Sequence, residues 1–248
     1  MPRLLLTDEH WSKLREIMRQ ERIYDKPYLR QTVEGILYRL RVGCPWRDLP
    51  EAFGDWRSVY SRFNEWSCKE KIFKIFKQLV QAPDLEWEFI DGSIVKAHQH
   101  SAGRNHDGQA IGKSRSGNST KIHLTVDSYG LPIDFEITGG QVNDIKVAPE
   151  LIDRLPLGQA MIADKGYDSE VLRNQIKAKG STPVIPRRSH STIGNKEMDW
   201  CLYKHRHLVE NAFARLKHFR SIATRYDKLK RNYRSMVALA CALLWLPM

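Results

Sequence analysis

The chain has 248 residues, 42% of them hydrophobic, which is enough for a real core and excludes a chain disordered throughout. Its formal charge of +11 favours a polyanionic partner. Its four cysteines, Cys44, Cys68, Cys201 and Cys241, are widely separated with no CxxC pair, which argues against a zinc knuckle or a disulfide framework.

The N-terminal third reads as helical. Thr7 is a good helix cap, and Trp11, Leu14, Ile17 and Met18 give the first apolar face. Pro27 opens a second segment whose apolar positions Leu29, Val33, Ile36, Leu37 and Leu40 keep helical spacing, with Gly43 as its end. A short helix at 49–53, a turn at Gly54 and a helix capped by Asp55 follow. Trp56, Val59, Tyr60 and Phe63 make the inner face of that helix, and Arg57, Ser58, Ser61, Arg62 and Asn64 its outer face. Helix, Gly turn and basic-faced helix suggest a helix-turn-helix DNA reader, with a purely structural bundle as the alternative. A helix at 69–79 closes the segment, and Ala82-Pro83-Asp84 marks a domain boundary.

Beyond the boundary the pattern changes. Residues 87–95 alternate and are rich in β-formers, so a strand is expected. Residues 99–120, with four glycines and Arg104, Lys113 and Arg115, read as a long basic loop. Strands are expected at 121–126 and 131–137, joined by a hairpin turn at 127–130. A helix at 143–155, a buried strand at 160–163, a helix at 168–179 and an edge strand at 183–186 complete a mixed α/β sheet with helices packed on it. The apolar run 236–246 is too short to span a bilayer and reads as a buried terminal helix. Residues 1–6 are too short for a signal peptide, so a soluble, cytoplasmic protein is the expectation.

Most of the excess charge lies late in the chain. Residues 187–234 hold 13 Lys/Arg against 4 Asp/Glu. Within this region, residues 203–217 contain no Pro or Gly and read as one helix. At about 100° per residue from Tyr203, Arg206 falls at about 300°, Glu210 at about 340° and Lys217 at about 320°. Leu208, Val209, Ala212 and Leu216 fall between about 140° and 240°. One face is therefore apolar, and the other carries a tyrosine, two cations and a carboxylate in a narrow stripe.

Two further carboxylates stand out. Asp91 follows the strand residues Phe89 and Ile90, and Asp164 ends MIAD; each has a glycine close behind. An Asp at the edge of an apolar strand is costly to bury unless something binds it. Alone, each reads equally well as a turn residue. Together with Glu210 they make a set of hard oxygen ligands suited to Mg²⁺ or Mn²⁺, and two such ions support in-line phosphoryl transfer.

Tyr203, Arg206, Glu210 and Lys217 match Tyr-x2-Arg-x3-Glu-x6-Lys at every spacing, the signature of a large group of bacterial insertion-sequence transposases of the DDE type. The stretches IDGSIVKAHQHSAG at Asp91, IADKGYDS at Asp164 and WRDLPEAFGDWRSVYSRFNEW in the N-terminal third also resemble that group, so the likeness covers nearly the whole chain. It implies an RNase H-like catalytic domain at 83–248, with C-terminal helices, behind a helical DNA-binding domain at 1–82. It implies an Mg²⁺-dependent (or Mn²⁺-dependent) two-ion transposase that cuts element ends and joins the 3′ ends to target DNA. Double-stranded DNA would be its partner, a dimer on DNA its working form, and the nucleoid of a bacterial cytoplasm its place.

Asp91, Asp164 and Glu210 carry over as the metal-binding triad, and Tyr203, Arg206 and Lys217 as holders of the DNA backbone. Lys96 and His98 are further candidates for DNA contact, as are Arg57 and Arg62. The pair His98 and His100 lacks a third ligand at metal spacing. The short separation of Asp164 from Glu210 leaves no room for the large inserted domain that some relatives carry. A role such as holding a flipped base then falls to other residues, with Trp200 and Tyr167 as candidates. Asp168 reads as a helix cap and Asp127 as a turn residue; Asn143 and Asp144 begin a helix, with an N-cap as one reading and proximity to the active site as the other. A non-catalytic DNA-binding protein and a nuclease without joining activity, both on the same fold, are the competing readings.

Overall fold

The computed structural model describes residues 3–101, 108–114, 117–156 and 158–248. Its elements in chain order are α1 (Asp8–Gln20), α2 (Leu29–Val42), α3 (Trp56–Cys68), α4 (Lys71–Leu79), β1 (Trp87–Ala97), β2 (Gly112–Ser114), β3 (Gly117–Val126), β4 (Pro132–Gly139), α5 (Ala148–Arg154), β5 (Ala160–Ala163), α6 (Glu170–Ala178), β6 (Thr182–Val184), α7 (Trp200–Tyr203), α8 (His207–Lys217), α9 (Arg220–Ala223), β7 (Thr224–Arg225) and α10 (Lys230–Trp245).

Two compact units emerge. The first joins residues 1–81 to 97–109 and 216–248; the second comprises 82–96 and 110–215. In the structure α10 packs on α4 and α3. Its residues Met236, Val237, Ala238, Ala240 and Cys241 are fully buried, and its basic N-terminal part pairs Arg234 with Glu70 at 2.7 Å.

In the helical unit the local signals act as expected. Thr7 accepts a hydrogen bond from the His10 amide, and Gly43 ends α2 at φ +73°, a conformation that glycine adopts without strain. Asp55 caps α3 by accepting from the Ser58 amide at 3.2 Å. The expected short helix at 49–53 is instead a pair of 3-10 turns, Trp46–Asp48 and Glu51–Phe53, each preceded by a proline that cannot extend a helix backwards. Arg39 and Asp227 form a buried ion pair at 3.1 Å.

The second unit is a mixed sheet. Its strands run β4-β3-β1-β5-β6; β4, β3 and β1 pair antiparallel, while β1, β5 and β6 pair parallel. The hairpin turn 127–130 is held by the Asp127 carboxylate, which accepts from the amides of Tyr129 and Leu131. One face of the sheet buries Ile90, Met161 and Ala163 against Val147, Leu151 and Ile152 and against Leu172 and Ile176 of α6. Burial of each such large side chain stabilises by about 1.5–3 kcal/mol.

Several expectations change. The expected loop at 99–120 contains β2 and the start of β3, which pair antiparallel with Ser114 opposite Gly117. Residues 102–107, 115 and 116 of that loop, with Arg104 and Arg115, lie outside the described residues. The helix expected from 143 begins with a 3-10 turn, Asp144–Lys146, capped by Asn143, and α5 follows it. The single helix expected at 203–217 is broken: α7 leads into a 3-10 turn, Lys204–Arg206, before α8.

Candidate active site

Asp91 lies inside β1. The parallel register pairs Phe89 with Ile162 and Ile90 with Ala163, so continuing it by one residue sets Asp164 beside Asp91 at the end of β5. Asp164 also caps the 3-10 turn Lys165–Tyr167, accepting from the Gly166 amide at 2.7 Å. It thus plays the turn role that its sequence context also suggested.

α8 brings the third carboxylate. Val209, Ala212, Phe213 and Leu216 are buried, as the helical wheel requires, apart from Phe213, which the wheel had not singled out. The N-terminal end of α8 rests on the β3–β4 turn: a Cβ added to Gly130 would stand 3.2 Å from the Leu208 carbonyl oxygen. The opposite side of the helix carries Glu210. Arg206, in the preceding turn, donates to Asp91 Oδ2 at 3.0 Å and also to Glu210 Oε1, so its guanidinium bridges two of the three carboxylates. Burial alone would weaken its charge, but Asp91 and Glu210 outweigh that effect and raise the Arg206 pKa.

Asp91 is pushed above the ordinary carboxylate range. Desolvation is the main cause, with help from the charges of Asp164 and Asp144; the Gly92 amide and Arg206 act against it. A half-buried carboxylate among other carboxylates attracts cations, and Arg206 supplies one positive charge there. Among the described residues no group of three His, Cys, Asp or Glu side chains is close enough to share one ion. Arg206 lies between Asp91 and Glu210, while Asp164 is held by its own turn.

Asp144 pairs with Lys121 Nζ at 3.1 Å and lies 3.2 Å from His123 Nδ1. Burial disfavours its charge, but His123 and Lys121 outweigh this and hold its pKa low. Lys121 and His123 are themselves buried on β3, across from Ile94 and Gly92 of β1. A Cβ on Gly92 would fall 2.1 Å from Asp144 Oδ1, so the glycine gives Asp144 its room directly beside Asp91. The signal was present in the sequence: Lys121, His123 and Thr125 alternate with the apolar Ile122, Leu124 and Val126 in KIHLTV.

The remaining candidates are scattered. Tyr203 packs edge-on to the exposed Trp200, with ring centroids 5.7 Å apart. Desolvation lowers the Lys217 pKa. Tyr167 is buried beneath the carboxylates, and burial with the charges of Asp144, Asp91 and Asp164 drives its pKa far up, so it is not a surface that a flipped base could reach. Lys96 is exposed. His98 stacks on Tyr226 at 4.5 Å in the helical unit. On α3, Arg57 is exposed and stands 5.1 Å from the Trp56 ring centroid, and Arg62 is half-buried. Asp168, expected as a helix cap, instead accepts from Arg173 at 2.9 Å and from the Arg188 amide, because Ser169 takes the cap position. No helix among the described residues is long and apolar enough to cross a membrane.

The model of the family "Transposase DDE domain" matches residues 89–245, and that of "Putative transposase of IS4/5 family" matches residues 6–76. "Putative transposase for insertion sequence element IS6501" of Brucella ovis is 38% identical over 132 residues, which are 52% of this chain and 98% of that protein. "Putative transposase for insertion sequence element IS402" of Burkholderia cepacia is 31% identical over 136 residues, 50% of this chain and 62% of that protein. Among solved structures, "Crystal structure of a pre-cleavage Mos1 transpososome" aligns over 90% of this chain and 80% of its own at 11% identity, with a TM-score of 0.29, too low to carry any argument.

Proposed function

The chain belongs to the DDE transposase family and is an insertion-sequence DNA transposase; from that premise we propose that Asp91, Asp164 and Glu210 form its catalytic centre for cutting element ends and joining the freed 3′ ends to target DNA. The observation that carries this reading is the convergence on one sheet edge. Asp91 and Asp164 are neighbours in register, and Arg206 ties Glu210 to Asp91. The strand order, three antiparallel strands followed by two parallel ones, supports an RNase H-like arrangement.

The donor set fits Mg²⁺ or Mn²⁺: three carboxylates, one of them half-buried and raised in pKa by its surroundings. Two such ions, when bound, activate the attacking water or 3′-hydroxyl and stabilise the leaving oxygen. Arg206 balances the carboxylate charge in the free protein. On DNA its guanidinium transfers to a backbone phosphate, for which its planar fork is well shaped. Tyr203 and Lys217 hold the same strand, and Lys96 lies exposed further along β1 as another phosphate contact. Asp144, paired with Lys121 and His123 over Gly92, places a further carboxylate charge near Asp91.

In the helical unit, Arg57 and Arg62 of α3 contact the element ends, and His98 contacts DNA as well. The protein works as a dimer on paired ends, in the bacterial cytoplasm with the nucleoid.

Strand cleavage on DNA carrying the inverted repeats that flank the gene tests the assignment. Asp91→Ala, Asp164→Ala and Glu210→Ala should each abolish cleavage and leave end binding largely intact. Metal-dependent cleavage surviving in all three sinks it. Cleavage by the wild type without joining of a pre-cut end reduces the protein to a nuclease.

A further inference from the structure

The helical unit contains a cavity of ≈ 1130 Å³, larger than the roughly 300–1,000 Å³ of ordinary small-molecule sites. Trp46, Trp56, Tyr60 and Tyr226 form much of its wall. Trp46 and Tyr60 pack with ring centroids 5.3 Å apart, and Tyr226 is 45% exposed with His98 stacked on its ring. Arg47 and Lys228 stand on the exposed part of the lining. Among the described residues the lining holds one carboxylate, Asp227, and it is already paired with Arg39.

Two buried polar groups in this wall lack partners among the described residues. Arg39 is 5% exposed and Asn232 5% exposed, and both line the cavity. Arg39 directs its two terminal nitrogens to Asp227, which leaves its Nε–H without an acceptor. Asn232 Oδ1 has no donor. A buried unmatched donor or acceptor costs about 1–3 kcal/mol, so an unmatched pair on two residues of one cavity wall suits a ligand that offers both complements.

We infer that this cavity binds an unstacked base of single-stranded DNA. Aromatic faces stack on any base, an asparagine amide pairs with a base edge, and lysine and arginine at the opening take the adjoining phosphates. A protein or lipid partner would use the aromatic walls but not the combination of edge-reading amide and phosphate-binding rim. The inference rests on DNA being the substrate and adds a single-strand site in the helical unit, separate from the carboxylates.

The test uses the full-length protein and a short single-stranded oligonucleotide with one 2-aminopurine, beside a blunt duplex of the same sequence. Wild type should bind the single strand and quench the 2-aminopurine emission by stacking. Tyr226→Ala and Trp56→Ala, at partly exposed positions that need not disturb the core, should each weaken single-strand binding about tenfold and leave duplex binding within about twofold. Asn232→Ala, if folded by circular dichroism, should level the affinities for oligo-dA, oligo-dC and oligo-dT. Duplex binding with unquenched single strand, or single-strand affinity unchanged in both aromatic variants, overturns the pocket alone. Failure of the wild type to bind either probe overturns the DNA reading beneath it as well.

Discussion

Glu88 gives a quantitative prediction. Its side chain lies on β1, fully buried; one oxygen accepts the Gly158 amide at 2.9 Å, and the other has no partner among the described residues. Desolvation raises its pKa from 4.5 to about 7, against the weaker pull of that amide and of Lys179. The folded state therefore keeps a proton that the unfolded chain gives up. With the folded pKa above the unfolded one, the stability that this group provides is greatest below pH about 4.5 and is lost as pH rises through about 7. At about 1.4 kcal/mol per pKa unit the full loss is about 3 kcal/mol, of which about 2.5 kcal/mol falls between pH 5 and pH 8. Glu88→Gln keeps an acceptor for the Gly158 amide and cannot ionise. Urea denaturation at pH 5 and pH 8 should show the variant gaining about 2.5 kcal/mol on wild type across that range. Parallel stability curves for the two proteins would refute the reasoning, since they would mean that Glu88 ionises alike in both states.

Four further outcomes follow from the same contacts. Gly92→Ala drives a methyl into the space of Asp144 Oδ1 and should slow strand cleavage about a hundredfold in a gel assay, with a lowered midpoint of thermal unfolding as Asp144 is pushed from Lys121. Asp144→Asn leaves Lys121 buried without its counter-charge and should cost about 3 kcal/mol in a urea titration; no loss would show that water reaches Lys121. Arg39→Met strands a buried Asp227 and should cost about 3–5 kcal/mol, whereas the double change Arg39→Met with Asp227→Leu should recover most of it in a thermodynamic cycle. Arg206→Ala should weaken end-DNA binding and flatten the salt dependence of the affinity by about one phosphate contact, measured by anisotropy across a salt series.

Much of this site was legible because its residues declare themselves locally. Asp91 and Asp164 stand at the ends of apolar strand runs, and the stripe of Tyr203, Arg206, Glu210 and Lys217 survives as spacing even though a 3-10 turn breaks the helix between Tyr203 and α8. The break was hidden because nothing between Tyr203 and Lys217 is a helix breaker. What joins strands across the chain was less readable. The polar alternation of Lys121 and His123 gives no partner by itself; register puts them opposite Ile94 and Gly92, with Asp144 over the glycine. The grouping of α10 with the N-terminal helices was likewise hidden. An apolar terminal helix announces that it is buried but not against which partner, and only the packing on α4 decides that.

The central claim is that Asp91, Asp164 and Glu210 bind the catalytic metal ions directly. Changing each in turn to cysteine replaces a hard oxygen ligand with a soft sulfur that Mn²⁺ accepts better than Mg²⁺. Strand transfer of a pre-cut element end is then measured in each metal. The account predicts that the wild type works in both, and that the Asp91→Cys, Asp164→Cys and Glu210→Cys proteins are inactive in Mg²⁺ and partly restored in Mn²⁺. Full activity of any of the three in Mg²⁺ would contradict it.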